Sequence, residues 1–307
     1  NDLKKEDYLL VRTYIRLKME VIDSHLHLFK AFSEDHPRPI YPGLAEEDRE
    51  VLAQELIIEM ETAGVDKAIV VPLGPEDHYI SELCRDFPGK FATVGIYDEN
   101  APDQADNLDQ RIEVSNIQGI RVGFVDQQAT TDDDPEKYAM FPLFKAMAER
   151  GLKVWFYAEP TQVVLFQRVL KLFPELVAVF NHCGFMVSLD NLSIDKHARP
   201  HFEVNIPPPT LDLLEEIASN KNTYVHFSGQ YAFSHDPYPY ADMLSVSERL
   251  FNIFGAERML WASDFPWTMK IPGYAEQLDL VGKLLPVISR QEQELIQGGN
   301  AERLFRF

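Results

Sequence analysis

Two histidines, His25 and His27, stand two residues apart in the run Val-Ile-Asp-Ser-His-Leu-His at positions 21–27. An extended chain turns alternate side chains to opposite faces, so both imidazoles share one face. Neutral imidazole is a common protein ligand for zinc and similar ions, and a pair placed this way can hold a divalent metal. Surface or capping histidines would explain the same spacing. Two later runs end in groups of matching chemistry: Val-Phe-Asn-His-Cys-Gly (179–184) carries His182, and Leu-Trp-Ala-Ser-Asp-Phe-Pro (260–266) carries Asp264. A carboxylate beside imidazoles can bind a metal, take a proton from water, or do both in turn.

Such remote residues meet only if the fold gathers their strand ends. Short runs rich in Val, Ile and aromatics occur at 21–27, 67–72, 91–96, 117–122, 153–158, 176–181, 223–227 and 259–262. Segments of helical character lie between them, at 45–63, 77–86, 108–115, 138–150, 161–172, 210–219, 240–254 and 274–285. Gly64, Gly151 and Gly255 follow three of these, where glycine takes the left-handed cap without strain. Eight strands, each followed by a helix, predict an α/β fold of the (β/α)8 TIM-barrel type. A doubly wound open sheet would show a glycine-rich first turn, and here the first strand runs into Asp-Ser-His-Leu-His instead. In a closed barrel the first and eighth strands are neighbours, so Asp264 is expected beside His25 and His27. Long loops follow the first strand (27–43) and the sixth (185–209), at the face where barrel active sites lie.

The chain has 307 residues and a formal charge of -20, from 29 basic and 49 acidic side chains. That charge excludes nucleic acid as a partner and leaves a small molecule, since local arginines or a metal can reverse the sign inside a pocket. No apolar run is long enough to span a bilayer. The two cysteines, Cys84 and Cys183, lie far apart, as expected of a reduced, cytoplasmic protein. Residues 1–18 read as an extension that need not be native, with Met19 as a candidate start, and residues 19–307 as a single catalytic barrel. A homo-oligomer is compatible with all of this.

The motifs Asp-Ser-His-Leu-His, Asn-His-Cys-Gly, Ala-Ser-Asp-Phe-Pro and the terminal Gly-Asn-Ala-Glu-Arg-Leu-Phe resemble the amidohydrolase superfamily. The likeness is to the amidohydrolase-related branch containing dicarboxylate lactonases, sugar lactonases and aminocarboxymuconate semialdehyde decarboxylase, and it runs from about residue 20 to the C-terminus. It implies His25, His27 and the sixth-strand histidine His182 as metal ligands and Asp264 as the aspartate that binds metal and activates water. The implied ion is divalent, zinc before manganese, although some lactonases of the branch need little or no metal. Binuclear members carry a carboxylated lysine on the fourth strand, and Gly-Ile-Arg-Val (119–122) has none. Many members place a histidine on the fifth strand, where this chain reads Trp-Phe-Tyr-Ala-Glu (155–159). The branch's lactonases share that lack, which favours lactonase over decarboxylase.

Arg121, near the end of the fourth strand, has two readings: a bidentate holder of a substrate carboxylate, or a salt bridge on the rim. The resemblance to dicarboxylate lactonases favours the first. Tyr157 is a substrate hydrogen-bond donor or a core aromatic. His226 contacts the leaving group or an anionic substituent, or is a hydrogen-bonded core histidine. Glu159 either replaces the missing ligand or caps a helix. The remaining histidines, at 36, 78, 197, 201 and 235, are expected to be structural or solvated. A Cys183–His182 nucleophilic pair is disfavoured because adjacent strand residues face apart. The expected reaction is hydrolysis of an anionic lactone by water that Asp264 deprotonates, with His182 assisting. The alternatives are metal-dependent non-oxidative decarboxylation of a small carboxylic acid and a non-catalytic binding barrel.

Overall fold

A computed structural model describes residues 19–98 and 105–307. The extension expected at residues 1–18 lies outside the described residues. Eight parallel strands follow one another around a barrel: β1 (Ile22–His27), β2 (Lys67–Val71), β3 (Phe91–Ile96), β4 (Ile117–Val122), β5 (Lys153–Phe156), β6 (Ala178–Phe180), β9 (Thr223–Phe227) and β10 (Met259–Trp261). The two-residue strands β7 (Ser193–Ile194) and β8 (Pro200–His201) pair antiparallel within the loop after β6. Among the described residues, no helix is long and apolar enough to cross a membrane.

Alternation along the strands divides two cores. Ile69, Val71, Val94, Trp155, Val179 and Leu260 pack together inside the barrel with Ala301 and Phe305 from the C-terminus. Their strand neighbours, such as Val70, Ile120, Phe156 and Phe180, face the surrounding helices. The helices are α1 (Ala53–Ala63), α2 (His78–Asp86), α3 (Leu108–Ser115), α4 (Phe141–Arg150), α5 (Pro160–Leu172), α6 (Leu211–Ile217), α7 (Gln230–Phe233), α8 (Leu244–Phe254), α9 (Tyr274–Leu284), α10 (Arg290–Glu294) and α11 (Asn300–Leu304).

Two features bear directly on the site. The pairing of β1 with β2 shifts register between Asp23 and Leu26. Ile22 therefore joins the inner core and Leu26 the outer one, although they are four residues apart and a regular strand would place them on the same face. The seam between β1 and β10 is the second. Instead of a continuous ladder, Asp264 N–H donates to the His25 carbonyl (3.0 Å) and His27 N–H to the Phe265 carbonyl (2.8 Å). Deeper down, Asp23 accepts from Ser263 N–H (2.9 Å), Ser263 Oγ (2.5 Å) and Tyr274 OH (2.9 Å). A buried carboxylate thus closes the barrel where main-chain bonds run out.

The helix expected over 45–63 begins only at Ala53. Its first residues are held in the loop by antiparallel bridges, Phe29 to Val51 and Tyr41 to Ala45. Arg38 reinforces them by donating to the carbonyls of Ala45, Glu46, Glu47 and Arg49, groups a helix would have used for itself. Gly64 and Gly151 adopt the left-handed cap, whereas Gly255 combines φ 64° with an extended ψ of 168° and turns the chain out of α8.

Candidate active site

His25, His27 and Asp264 converge at the C-terminal end of the barrel, where one ligand atom from each lies within 4.8 Å of the others. Asp264 Oδ1 stands 3.8 Å from His25 Nε2 and 3.6 Å from His27 Nε2. All three residues are buried. His27 Nδ1 bonds the Val71 carbonyl at 3.0 Å; a carbonyl only accepts, so the proton sits on Nδ1 and Nε2 presents a lone pair to the carboxylate. Neither ring nitrogen of His25 nor Asp264 Oδ1 has a hydrogen-bond partner among the described residues. Lone pairs that face one another without a proton or a cation between them repel. Two ligands about 2.1 Å from a tetrahedral ion stand about 3.4 Å apart, close to the spacings here. The residues fit a divalent metal.

The other oxygen of Asp264 is committed. Tyr231, on α7, donates its hydroxyl to Oδ2 at 2.6 Å. Burial pushes the Asp264 carboxyl up to about 7, and the Tyr231 bond and the charge of Arg121 offset part of that rise. Burial and the positive charge of Arg121 press the imidazoles the other way: His27 and His226 fall to about 3, and His25 and His182 well below their ordinary value. In the metal-free site at neutral pH, uncharged rings surround a carboxyl near its midpoint.

His182 follows β6 in a tight turn. Its Nδ1 lies 3.1 Å from Ser228 Oγ and 3.9 Å from Asp264 Oδ2, and its ring centroid is 5.3 Å from that of His25. Expected among the metal ligands, it stands outside the group formed by His25, His27 and Asp264 and adjoins it from one side. Both His182 (φ 52°) and Asp264 (φ 57°) have left-handed backbones, a conformation that non-glycine residues take at a cost of about 1–3 kcal/mol. Gly229 makes the approach possible, because a Cβ there would meet His182 Cβ at 2.8 Å. Tyr157 packs edge-on to His182 (5.1 Å), and the Arg121 guanidinium lies 5.6 Å from the Tyr157 ring centre. Of the two readings of Arg121, the rim salt bridge is not seen, since it pairs with no carboxylate among the described residues.

Arg121, Tyr157, His182, His27 and Asp264 all line a cavity of about 960 Å³ that opens between the two long loops. His226 is not among the lining residues. It is fully buried beneath His25, packed against Trp155 at 5.0 Å, and its ring nitrogens have no hydrogen-bond partner among the described residues. Glu159 is exposed at the start of α5, away from the cluster. Cys183 is buried, and burial raises its thiol to about 12, which disfavours the thiolate that a nucleophile needs.

A sequence model of a family described as amidohydrolase matches residues 22–307. The chain belongs to the amidohydrolase family. Relatives of this amidohydrolase include the L-fucono-1,5-lactonase of Burkholderia ambifaria, 22% identical over 257 residues that cover 80% of each chain. Among solved structures, a protein from Pseudomonas putida provisionally assigned as a 2-pyrone-4,6-dicarboxylic acid hydrolase superposes with TM-score 0.71 at 19% identity, covering 94% of this chain and 98% of that one. The 5-carboxyvanillate decarboxylase of Sphingomonas paucimobilis superposes with TM-score 0.60 at 15% identity, covering 94% and 99%. The barrel expected from the sequence is thus shared with hydrolases and decarboxylases alike, and this amidohydrolase is an enzyme of that superfamily.

Sequence reasoning missed Tyr231 and Asp23. Asp23 lies inside the quoted Asp-Ser-His-Leu-His motif, and its place two residues before His25 was the available signal. Tyr231 follows the Ser-Gly turn after β9, a strand-end position like those of His182 and Asp264.

Proposed function

We propose that this amidohydrolase opens a lactone or related cyclic ester that carries an anionic group. The observation that supports this most is Asp264, a buried carboxyl with one oxygen facing two imidazoles and the other fixed by Tyr231, on a cavity shared with Arg121.

Arg121 binds the anionic group of the substrate and sets the ester carbonyl toward the floor of the cavity. Asp264 takes the proton of the attacking water and returns it to the departing alkoxide or enolate. Tyr231 holds the carboxylate in one orientation through both transfers. His182 lies within reach of the same water and supplies a polar wall for the oxyanion. His25, His27 and Asp264 would hold a divalent ion, zinc or manganese, which would supply Lewis-acid polarisation of the carbonyl and offset the developing charge.

The test is a metal analysis of purified protein, followed by acid release from a panel of anionic lactones with and without chelator, and a carbon dioxide trap on matching carboxylic acids. Ring opening that Asp264→Asn abolishes supports the proposal. Carbon dioxide release without ring opening would assign the site to decarboxylation instead.

A further inference from the structure

Above the reacting centre, the cavity changes character. Its mouth is formed by the loop after β1 and the loop after β6, which meet where a methyl group on Gly43 would stand 3.8 Å from Ile194. The walls they supply are Phe32, Leu44, Leu189, Leu192, Ile194 and Phe202. Three of these are large apolar side chains left open to solvent: Phe32 at 40%, Leu189 at 58% and Ile194 at 38%. Contiguous apolar surface rimming a cavity marks a place where a ligand's own apolar surface is covered.

The charges lining the same cavity are few. Arg38 is there, but all its donors are used: Nε on the Lys30 carbonyl, Nη1 on those of Pro39 and Ala45, and Nη2 on those of Glu46, Glu47 and Arg49. It is a strut for the loop and has nothing left for an anion. Among the described lining residues Arg121 is the one arginine or lysine with open donors. A second anionic group on the substrate would therefore meet no second open cation among the described lining residues, and ring hydroxyls set against the six apolar side chains of the mouth would lose their water there.

From this pairing of one open guanidinium with an apolar mouth, we propose that the substrate is amphipathic: a single carboxylate-like anion at Arg121 and an apolar chain or aryl group running out between the two loops. The inference rests on the reading of Arg121 as the anchor in the proposed function, and it narrows the substrate class within that reading.

Unbranched monocarboxylates from butanoate to decanoate test it. Their binding to the chelated full-length protein is followed by calorimetry. They contain no ester, so the series is read independently of any turnover. Each added methylene should tighten binding about threefold or more at one site per chain, the effect of burying a CH2. Arg121→Gln should weaken every member by a similar factor of about ten or more. A variant combining Phe32→Ser, Leu189→Ser and Ile194→Ser, all at partly exposed positions, should flatten the dependence on length and leave butanoate unchanged. Affinity that ignores chain length, a dicarboxylate that binds as tightly as the monocarboxylate of equal length, or a length dependence surviving the triple substitution would each overturn the proposal. Failure of every lactone to react, with the binding series intact, would instead remove the proposed reaction and leave this inference standing.

Discussion

Asp264→Asn offers the sharpest check on the electrostatics of the site. In metal-free protein the carboxyl titrates at about 7 because burial penalises its charged form, against an ordinary value of 3.8. The folded state therefore binds this proton more tightly than the unfolded state. The stability it contributes is complete below about pH 4 and is lost as pH rises through 7. At pH 8 the loss is on the order of 4 kcal/mol, at about 1.4 kcal/mol for each tenfold change; by pH 5 little more than a third of it has accrued. Asparagine keeps the shape, does not titrate, and can turn its amide N–H toward the lone pair of His27 Nε2. All other titrating groups are common to both proteins, so the difference between them isolates Asp264. In excess chelator, Asp264→Asn should gain roughly 5 °C more in unfolding midpoint at pH 8 than at pH 5, at about 2 °C per kcal/mol for a chain of this length. Zinc should close more than half of that gap at pH 8, since ligand at a hundred times its dissociation constant stabilises the wild type by about 2.7 kcal/mol and the variant has lost a ligand. Scanning calorimetry at the two pH values reads both effects. An equal gap at both pH values in chelator would show that Asp264 is an ordinary carboxylate, and the account of the base would fail with it.

Tyr231→Phe removes the 2.6 Å bond that favours ionised Asp264, so the acid limb of the pH–rate profile should move to higher pH and turnover at pH 6 should fall about tenfold. Arg121→Gln should raise KM for an anionic lactone by about 10- to 100-fold with kcat little changed, as steady-state kinetics would show. Gly229→Ala sets a Cβ 2.8 Å from His182 in a left-handed backbone, and denaturant unfolding should record a loss of about 2–4 kcal/mol. Asp23→Ala leaves Ser263 and Tyr274 without their acceptor, which should cost about 2–4 kcal/mol and weaken zinc binding in a competition titration.

The barrel was legible in the sequence because its two signals reinforce each other. Val- and Ile-rich runs set the strands, and their regular alternation with amphipathic segments set the closure. His25 and His27 were legible as a pair for the same reason, and Asp264 because the eighth strand must return to the first. The irregular parts carried no such periodicity. The shift in β1 that separates Ile22 from Leu26 has no glycine or proline to announce it. Residues 45–52 are compatible with helix by composition and lose that choice to a strut from Arg38, a contact made by a side chain seven or more residues away. His226 was placed on the right strand, but its depth depends on how far β9 extends beyond it, which no local pattern records. Tyr231 acts through a contact 33 residues along the chain, and only the closed barrel brings that pair together.

The way β1 and the segment after β10 are clasped has a consequence for how this enzyme would lose its ion. Two amide protons, those of Asp264 and His27, bridge the very segments that carry the three candidate ligands. Any opening of that junction carries Asp264 away from both imidazoles at once, so metal release and local unfolding become one event. Protection of these two amides against deuterium exchange should then rise and fall with metal occupancy, giving a direct readout of the bound state without substrate.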